Sequence, residues 1–161
     1  MHNIINHPFV VKVFDEIEFQ GKKCIIMELA ERGSLQKLID ERKKANQLFT
    51  EKEVLRMIAN MALGLFEIHS QGIQHRDLKP ANILISEMEG TQILKLTDFG
   101  HSKYIEATVK IDSTSGFSET IAYWSPERLS DNSNSEREDV WALGITAYNI
   151  ACFEMPFKAK S

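Results

Sequence analysis

The segment between Thr50 and Gly72 places the strongest constraint on how this chain can fold. Thr50 and Glu53 have the spacing of a capping box, in which the hydroxyl and the carboxylate each accept a hydrogen bond from an exposed amide at a helix start. The helical stripe that follows consists of Val54, Leu55, Met57, Ile58, Met61, Ala62, Leu65, Ile68 and His69. A stripe this wide predicts a helix buried on most sides, and Gly72 suits the left-handed position that ends such a helix.

Shorter elements are predicted on both sides of this helix. Before it, β-branched runs at 10–14 and 23–29 predict a β-hairpin turning at Gln20-Gly21, and Ser34 is expected to cap a short helix. After it, the pattern predicts two short strands, a long Ser- and Thr-rich loop and an apolar helix buried on nearly all faces, at 83–85, 93–96, 101–120 and 139–151. The fold class expected from these elements is α+β.

The amino-acid composition limits which kinds of partner the chain can bind and which cellular compartments suit it. The chain has 161 residues, 43% of them hydrophobic and 26% charged, which is the balance of a globular domain. A net charge of −4 argues against a nucleic-acid partner or an anionic membrane, and the basic run at 42–44 is expected to be the solvated end of a helix. The sequence has neither a signal-peptide pattern nor an apolar run of the roughly 20 residues that cross a bilayer.

The two cysteines, Cys24 and Cys152, lie far apart and lack the neighbours of a zinc site. We expect both to be buried or half-buried free thiols in a reducing compartment. The sequence therefore predicts a cytosolic or nuclear protein.

Two polar segments around the predicted strand pair carry the residues expected to do chemistry. The first, His75-Arg76-Asp77-Leu78-Lys79-Pro80-Ala81-Asn82, precedes the strand pair, and the second, Thr97-Asp98-Phe99-Gly100, follows it. Phosphoryl transfer requires metal ions on the phosphates and a group that orients the attacking hydroxyl. Asp77, Asn82 and Asp98 offer oxygen ligands of the kind that Mg²⁺ prefers, Lys79 offers a positive charge, and a hairpin would bring the two segments together.

With H-R-D-L-x-x-x-N and D-F-G both intact, the sequence resembles the eukaryotic-type protein kinase family, and the Lys-Pro after Asp-Leu resembles its Ser/Thr branch. The resemblance implies a protein-kinase-like α+β fold with a mostly helical C-lobe and a remnant of the β-rich N-lobe. It implies ATP and Mg²⁺ as cofactors and a protein as substrate. In this assignment Asp77 accepts or orients the substrate hydroxyl proton, Lys79 neutralises charge on the transferred phosphoryl group, and Asn82 and Asp98 hold Mg²⁺.

The resemblance extends to the adenine-binding region. The segment Ile26-Met27-Glu28-Leu29-Ala30 resembles the last N-lobe strand and the hinge. Met27 would be the gatekeeper, the Glu28 carbonyl and the Ala30 backbone would face adenine, and Leu84 would form the floor beneath the ring. Simple core packing is the alternative role for Met27 and Leu84.

Downstream, residues 120–127 resemble the end of a kinase activation segment, and residues 139–144 resemble the start of the central C-lobe helix. Thr120 would hydrogen-bond Asp77 and Lys79, Glu127 would pair with a buried arginine, and Asp139 would brace the catalytic loop. Arg76 suggests control by phosphorylation of the activation loop, because an arginine there can pair with a phosphate. The candidate phosphorylation sites are Ser113, Thr114, Ser115 and Ser118, and an unmodified solvated loop is the alternative.

The resemblance also predicts that residues 1–161 are a partial kinase domain, with an N-lobe remnant and hinge at 1–30 and a C-lobe at 31–161 truncated after the central helix. The sequence has no Gly-rich loop and no V-A-x-K lysine before the hinge. An active Ser/Thr kinase seen in part is the favoured reading. A catalytically inactive binding or scaffold module, a slow enzyme that relies on Asp98-bound Mg²⁺, and a metabolite phosphotransferase are the alternatives. The substrate, the pathway and the oligomeric state do not follow from the sequence.

Overall fold

The computed structural model describes residues 5–98, 120–131 and 135–157, and every structural statement below concerns these ranges. The predicted polar loop lies outside them except for Thr120, and so do Gly100 and the four candidate phosphorylation sites.

The described elements are a β-hairpin, two helices, a second β-hairpin and two further helices. In chain order they are β1 (Val13–Phe19), β2 (Lys22–Met27), α1 (Leu35–Lys44), α2 (Glu51–Ser70), a 3-10 turn (Pro80–Asn82), β3 (Ile83–Met88), β4 (Thr91–Leu96), α3 (Pro126–Asp131) and α4 (Glu136–Cys152). Each sheet is one antiparallel pair, β1 with β2 and β3 with β4. This mixture confirms the predicted α+β class. None of the helices described is long and apolar enough to cross a membrane.

The first hairpin turns where the sequence predicted, but its first strand begins later. Gln20 and Gly21 both have positive φ, 52° and 72°, as a tight hairpin turn requires. The predicted start of the first strand at Val10 is wrong, because Val10 and Val11 are buried against β4 and β1 begins only at Val13. β-branched residues favour extended backbone, but they do not indicate which strand will be the partner.

Helix α2 is the centre of the core. Its capping box is present: the Thr50 hydroxyl accepts from the Glu53 amide, and the Glu53 carboxylate accepts from the Thr50 amide. Its buried residues are Met57, Asn60, Met61, Gly64, Leu65 and Ile68, and they face β4 and α4. The opposite side is exposed, with Leu55 58% and Phe66 73% accessible, so the predicted burial on most sides is wrong for this helix.

The same correction applies to α4. Its residues Val140 and Tyr148 are 59% and 44% exposed, which contradicts burial on nearly all faces. Composition indicates how apolar a helix is, but it does not indicate which of its faces meets a neighbour.

The backbone amides on the outer edge of β4 donate hydrogen bonds to groups outside the hairpin. The Leu94 amide donates to Oδ1 of the buried Asn60 at 3.0 Å, and the Leu96 amide donates to the Phe9 carbonyl at 2.9 Å. The Val11 amide in turn donates to the Leu96 carbonyl at 2.8 Å. Since an unpaired buried amide costs about 1–3 kcal/mol, these bonds fix where β4 lies against α2.

One expectation about side-chain exposure is wrong, and another holds in part. Cys152 is exposed, although Cys24 is half-buried as expected. In the basic run at the end of α1, Lys43 and Lys44 are exposed as expected. Arg42 is half-buried and pairs with Glu53 at 2.9 Å, and the Lys43 ammonium donates to the Phe153 carbonyl at 3.0 Å. These two contacts join the end of α1 to α2 and to the end of α4.

We expect Gly64→Ala to destabilise the fold. A Cβ at Gly64 would lie 2.7 Å from the Phe9 carbonyl oxygen and 3.0 Å from Leu96 Cδ1, so the backbone would have to move. Overpacking of this kind costs about 1–3 kcal/mol, which exceeds the ~1 kcal/mol that alanine gains over glycine inside a helix. The free energy of unfolding, measured by urea denaturation, should therefore fall.

Gly144 in α4 provides the matched control, because a Cβ there would meet nothing within 4 Å. Gly144→Ala should raise the free energy of unfolding by about 0.5–1 kcal/mol from helix propensity alone. Equal stabilisation by both alanines would contradict the close approach of α2 to residues 9 and 96.

Candidate active site

The second hairpin brings the two polar segments together. Ile83 pairs with Leu96 at the open end of β3 and β4, and the Thr97 amide donates to the Asn82 carbonyl at 3.1 Å. Asn82 and Asp98 therefore leave the hairpin at the same end. Asp98 is exposed and has φ 64°, a left-handed conformation uncommon outside glycine.

Four of the predicted residues form one hydrogen-bonded cluster. The Asn82 amide nitrogen donates to Asp77 Oδ2 at 2.7 Å and to the Asp77 carbonyl at 2.9 Å. The Lys79 ammonium lies 3.1 Å from Asp77 Oδ2 and donates to Thr120 Oγ1 at 2.9 Å. Within the described ranges Asp77 Oδ1 has no hydrogen-bond partner. That atom is itself buried, whereas the Asp77 side chain as a whole is 38% exposed.

Asp139 holds the backbone that leads into this cluster. It is 2% exposed and accepts from the His75 amide and the Arg76 amide, both at 2.8 Å, while its Oδ2 also lies 2.8 Å from His69 Nε2. Arg76 has φ 65°, a strained conformation for a residue with a side chain. The two backbone hydrogen bonds to Asp139 stabilise this conformation and so fix where Asp77 begins.

His75 lies beneath the cluster as a neutral ring. It is 1% exposed, and burial lowers its pKa from the ordinary value of 6.5, although the nearby charges of Asp139 and Asp77 partly oppose this. A neutral imidazole adds no positive charge that would compete with Lys79 for Asp77.

The predicted adenine-binding residues lie at the end of β2, just after it and in β3. Met27 is 37% exposed, and its sulfur lies 3.8 Å from the Thr97 hydroxyl. The Ala30 carbonyl accepts from the Gly33 amide at 3.4 Å, and Leu84 is half-buried next to Ser34. Their contacts with adenine remain a prediction, with core packing as the alternative for Met27 and Leu84.

Glu28 has a side-chain role that the sequence did not indicate. Its Oε1 lies 2.6 Å from the Lys95 ammonium on β4 and accepts from the Lys12 amide at 2.9 Å. Because both partners lie outside β2, this carboxylate anchors the first hairpin to the second.

Of the residues predicted to be regulatory, Arg76 has a side-chain partner near the loop, and Glu127 is exposed on α3. Arg76 Nε donates to Gln74 Oε1 at 3.1 Å, so the guanidinium has a protein partner near the loop. Glu127 is exposed on α3, and across the described residues no arginine lies within ion-pair distance of it. The expected buried arginine partner of Glu127 therefore remains a prediction.

Sequence reasoning missed Arg128 and Glu138. The Arg128 guanidinium donates to the Arg76 carbonyl at 2.7 Å and lies 3.6 Å from the Glu138 carboxylate, which is 8% exposed. Neither residue belongs to a motif with a known role, and the contact between them depends on how α3 and α4 pack against the segment that contains Arg76. The one local indication was the spacing of Ser135 and Glu138, a capping box at the start of α4.

The donor set fits a magnesium ion. Among the described residues the Asp98 carboxylate makes no hydrogen bond or ion pair. The side-chain oxygen Oδ1 of Asn82 stays open, because the side-chain nitrogen Nδ2 carries both bonds to Asp77. Mg²⁺ is usually bound by one or two such oxygens together with substrate phosphates. The described residues contain no cluster of three or more His, Cys, Asp or Glu that would form a closed metal cage. The site is thus suited to a metal that arrives with a phosphate ligand.

The comparison with protein families decides the assignment. The family model described as the protein kinase domain matches residues 1–161. This chain belongs to the protein kinase family. The recognition made from the two motifs is therefore confirmed.

Individual protein kinases resemble the chain along nearly its whole length. Ribosomal protein S6 kinase alpha-1 of Homo sapiens is 38% identical over 156 residues, which cover 97% of this chain and 20% of that protein. Ribosomal protein S6 kinase 2 alpha of Gallus gallus is also 38% identical with the same coverage. A putative serine/threonine-protein kinase A of Trypanosoma brucei brucei is 34% identical over 157 residues, which are 97% of this chain and 36% of that protein. The chain spans about a fifth of the length of the S6 kinases it matches.

Proposed function

We propose that this kinase chain is part of an ATP-dependent protein serine/threonine kinase. The observation that carries the proposal is the cluster in which Asn82 and Lys79 hold the partly exposed Asp77 carboxylate and Thr120 holds Lys79. The resemblance to S6 kinases and to a serine/threonine-protein kinase supports the choice of Ser and Thr as acceptors.

In the proposed reaction the hydroxyl oxygen of a substrate Ser or Thr attacks the terminal phosphorus of ATP, and ADP leaves. The partly exposed Asp77 carboxylate orients this hydroxyl and takes its proton as the oxygen–phosphorus bond forms. Lys79 lies close enough to Asp77 to place its positive charge beside the transferred group. The hydrogen bond from Lys79 to Thr120 keeps that ammonium from folding away from the site.

The remaining cofactor assignments follow from the same end of the hairpin. Asn82 and Asp98 would hold Mg²⁺, which when bound neutralises phosphate charge. The backbone at Glu28 and Ala30 would face adenine, between Met27 and Leu84. The division into an N-lobe part at 1–30 and a C-lobe part at 31–161 belongs to the same proposal, as does a protein substrate.

The test is a transfer assay with radiolabelled ATP on the full-length product of the gene that encodes this chain. With Mg²⁺ and casein or histone as test substrates, we expect labelled phosphate on Ser or Thr. Addition of EDTA in excess over Mg²⁺ should reduce the incorporation to the no-enzyme level, because the described residues form no protein cage that would retain the metal.

The outcomes separate the proposed enzyme from an inactive module. Incorporation that survives EDTA would contradict the metal assignment to Asn82 and Asp98. Binding of ATP, measured by calorimetry, without any transfer would contradict the proposed enzyme and favour the kinase-like binding or scaffold module.

A further inference from the structure

The Arg128 guanidinium connects three parts of the structure near the candidate active site. It donates to the carbonyl of Arg76 in the catalytic loop at 2.7 Å. It lies 4.1 Å over the ring of Trp124, at the end of the activation segment, and 3.6 Å from Glu138 at the start of α4. A planar guanidinium can stack on a ring and donate in its own plane at once, which a lysine ammonium cannot do.

The acceptor of this hydrogen bond is the peptide group that joins Arg76 to Asp77. The Arg76 amide is already held by Asp139 at 2.8 Å, and the Arg76 carbonyl is held by Arg128. Both backbone polar groups of this left-handed residue therefore have fixed partners. Rotation of the Arg76–Asp77 peptide would break the bond to Arg128 and turn the Asp77 side chain.

The pair is less exposed to water than a surface ion pair. Glu138 is 8% exposed, and its other carboxylate oxygen accepts from the Ser135 amide at 3.3 Å in the capping box. Burial lowers the pKa of Arg128, while the charges of Glu138, Asp77 and Asp139 raise it. Removing one member of a buried pair leaves the other charge without compensation.

Arg128 and Glu138 also border the site itself. A small cleft is lined by both of them and by Asp77, Thr120 and Tyr123. The pair is therefore in a position to transmit the arrangement of residues 120–128 to the catalytic carboxylate.

We propose that Arg128 is a positioning residue that holds the Arg76–Asp77 peptide and thereby couples the end of the activation segment to Asp77, with Glu138 holding Arg128. The expected effect of Arg128 on catalysis rests on the proposed kinase function. The expected effect of Arg128 on the conformation of residues 75–79 rests on the geometry alone.

The experiment compares Arg128→Met and Arg128→Lys with Arg137→Met, all in the full-length gene product. Arg137 is an exposed arginine next to Glu138, so its replacement removes a positive charge without touching the loop. We expect Arg128→Met to lower kcat for phosphate transfer by about 10- to 100-fold, as a displacement of roughly 1 Å does, with KM for ATP unchanged. Arg128→Lys should fall between wild type and Arg128→Met, because a lysine can reach one of the two oxygen partners.

A second measurement follows the loop directly. Amide hydrogen exchange of peptides that contain residues 75–79 should be faster in Arg128→Met than in Arg137→Met, while exchange in α2 should be equal in the two. This pattern distinguishes a positioning role from general destabilisation, which would speed exchange throughout. If Arg128→Met does not fold, Arg128→Lys alone is compared with Arg137→Met, and an intermediate rise of exchange at residues 75–79 is then the expected result.

Unchanged exchange at residues 75–79 in the Arg128 variants would overturn the inference whatever the activity. A normal kcat in Arg128→Met would overturn its catalytic part. A third outcome separates the two proposals: the wild-type protein transfers no phosphate, but exchange at residues 75–79 is still faster in the Arg128 variants. This outcome would overturn the proposed function and support the coupling of Arg128 to the loop.

Discussion

Asp77→Asn is expected to lower kcat for phosphate transfer by about a hundredfold to ten-thousandfold, the range typical of a lost general base. An asparagine carbonyl can still accept from the Asn82 amide nitrogen, so the loop should keep its shape. It cannot take a proton from the substrate hydroxyl, and it loses the ion pair that places Lys79. Transfer of labelled phosphate to casein or histone under saturating ATP measures the effect.

Asp40→Asn provides the matched control for this substitution. Asp40 lies exposed on α1, where its carboxylate accepts from Gln36 on the same helix, so the same change of charge occurs away from the site. The control should transfer phosphate at the wild-type rate. If Asp77→Asn also did so, the assignment of Asp77 as the catalytic carboxylate would be wrong.

Asp139→Ala is expected to produce the largest loss of stability, about 3–5 kcal/mol in the free energy of unfolding. The substitution leaves the His75 and Arg76 amides and His69 Nε2 without their acceptor in a place that is almost fully buried. Each unsatisfied buried donor costs about 1–3 kcal/mol, and partial access of water to His69 reduces the sum. The loss is measured by urea denaturation, with circular dichroism as the signal for unfolding.

Glu136→Ala is the control for Asp139→Ala, because it removes a carboxylate from the first turn of the same helix at an exposed position. Its cost should be only the helix-dipole contribution of about 0.3–1 kcal/mol. Equal losses in the two variants would show that the bonds from Asp139 to residues 69–76 contribute little to the fold.

The sequence predicted the elements whose local chemistry is complete within a few residues. The capping box at Thr50 and Glu53, the turn at Gln20-Gly21 and the left-handed Gly72 with φ 69° are all present, because each depends on neighbours along the chain. The two motifs around the second hairpin also contained enough information to recognise the family, which the match to the kinase domain model confirms.

What the sequence could not predict depends on contacts between distant residues. Val10 looked like part of a hairpin strand, but it pairs with Leu96, 86 positions later in the chain. Asn60 and Arg128 have no motif of their own, and each acts on a backbone group supplied by another element. Which faces of α2 and α4 are buried also follows from packing rather than from the apolar pattern.

The partners of Asp139 have a consequence for the order of folding. Its three hydrogen bonds span 63, 64 and 70 positions, whereas α2 and the second hairpin are built from local pairs. Contacts at such separations form late, because the chain between them must be ordered first. During synthesis, domains fold as their segments leave the ribosome. In a nascent chain that has emerged only as far as β4, the His75 and Arg76 amides are therefore still hydrated. The loop at residues 75–77 takes its final conformation only after α4 has been synthesised and has packed against it.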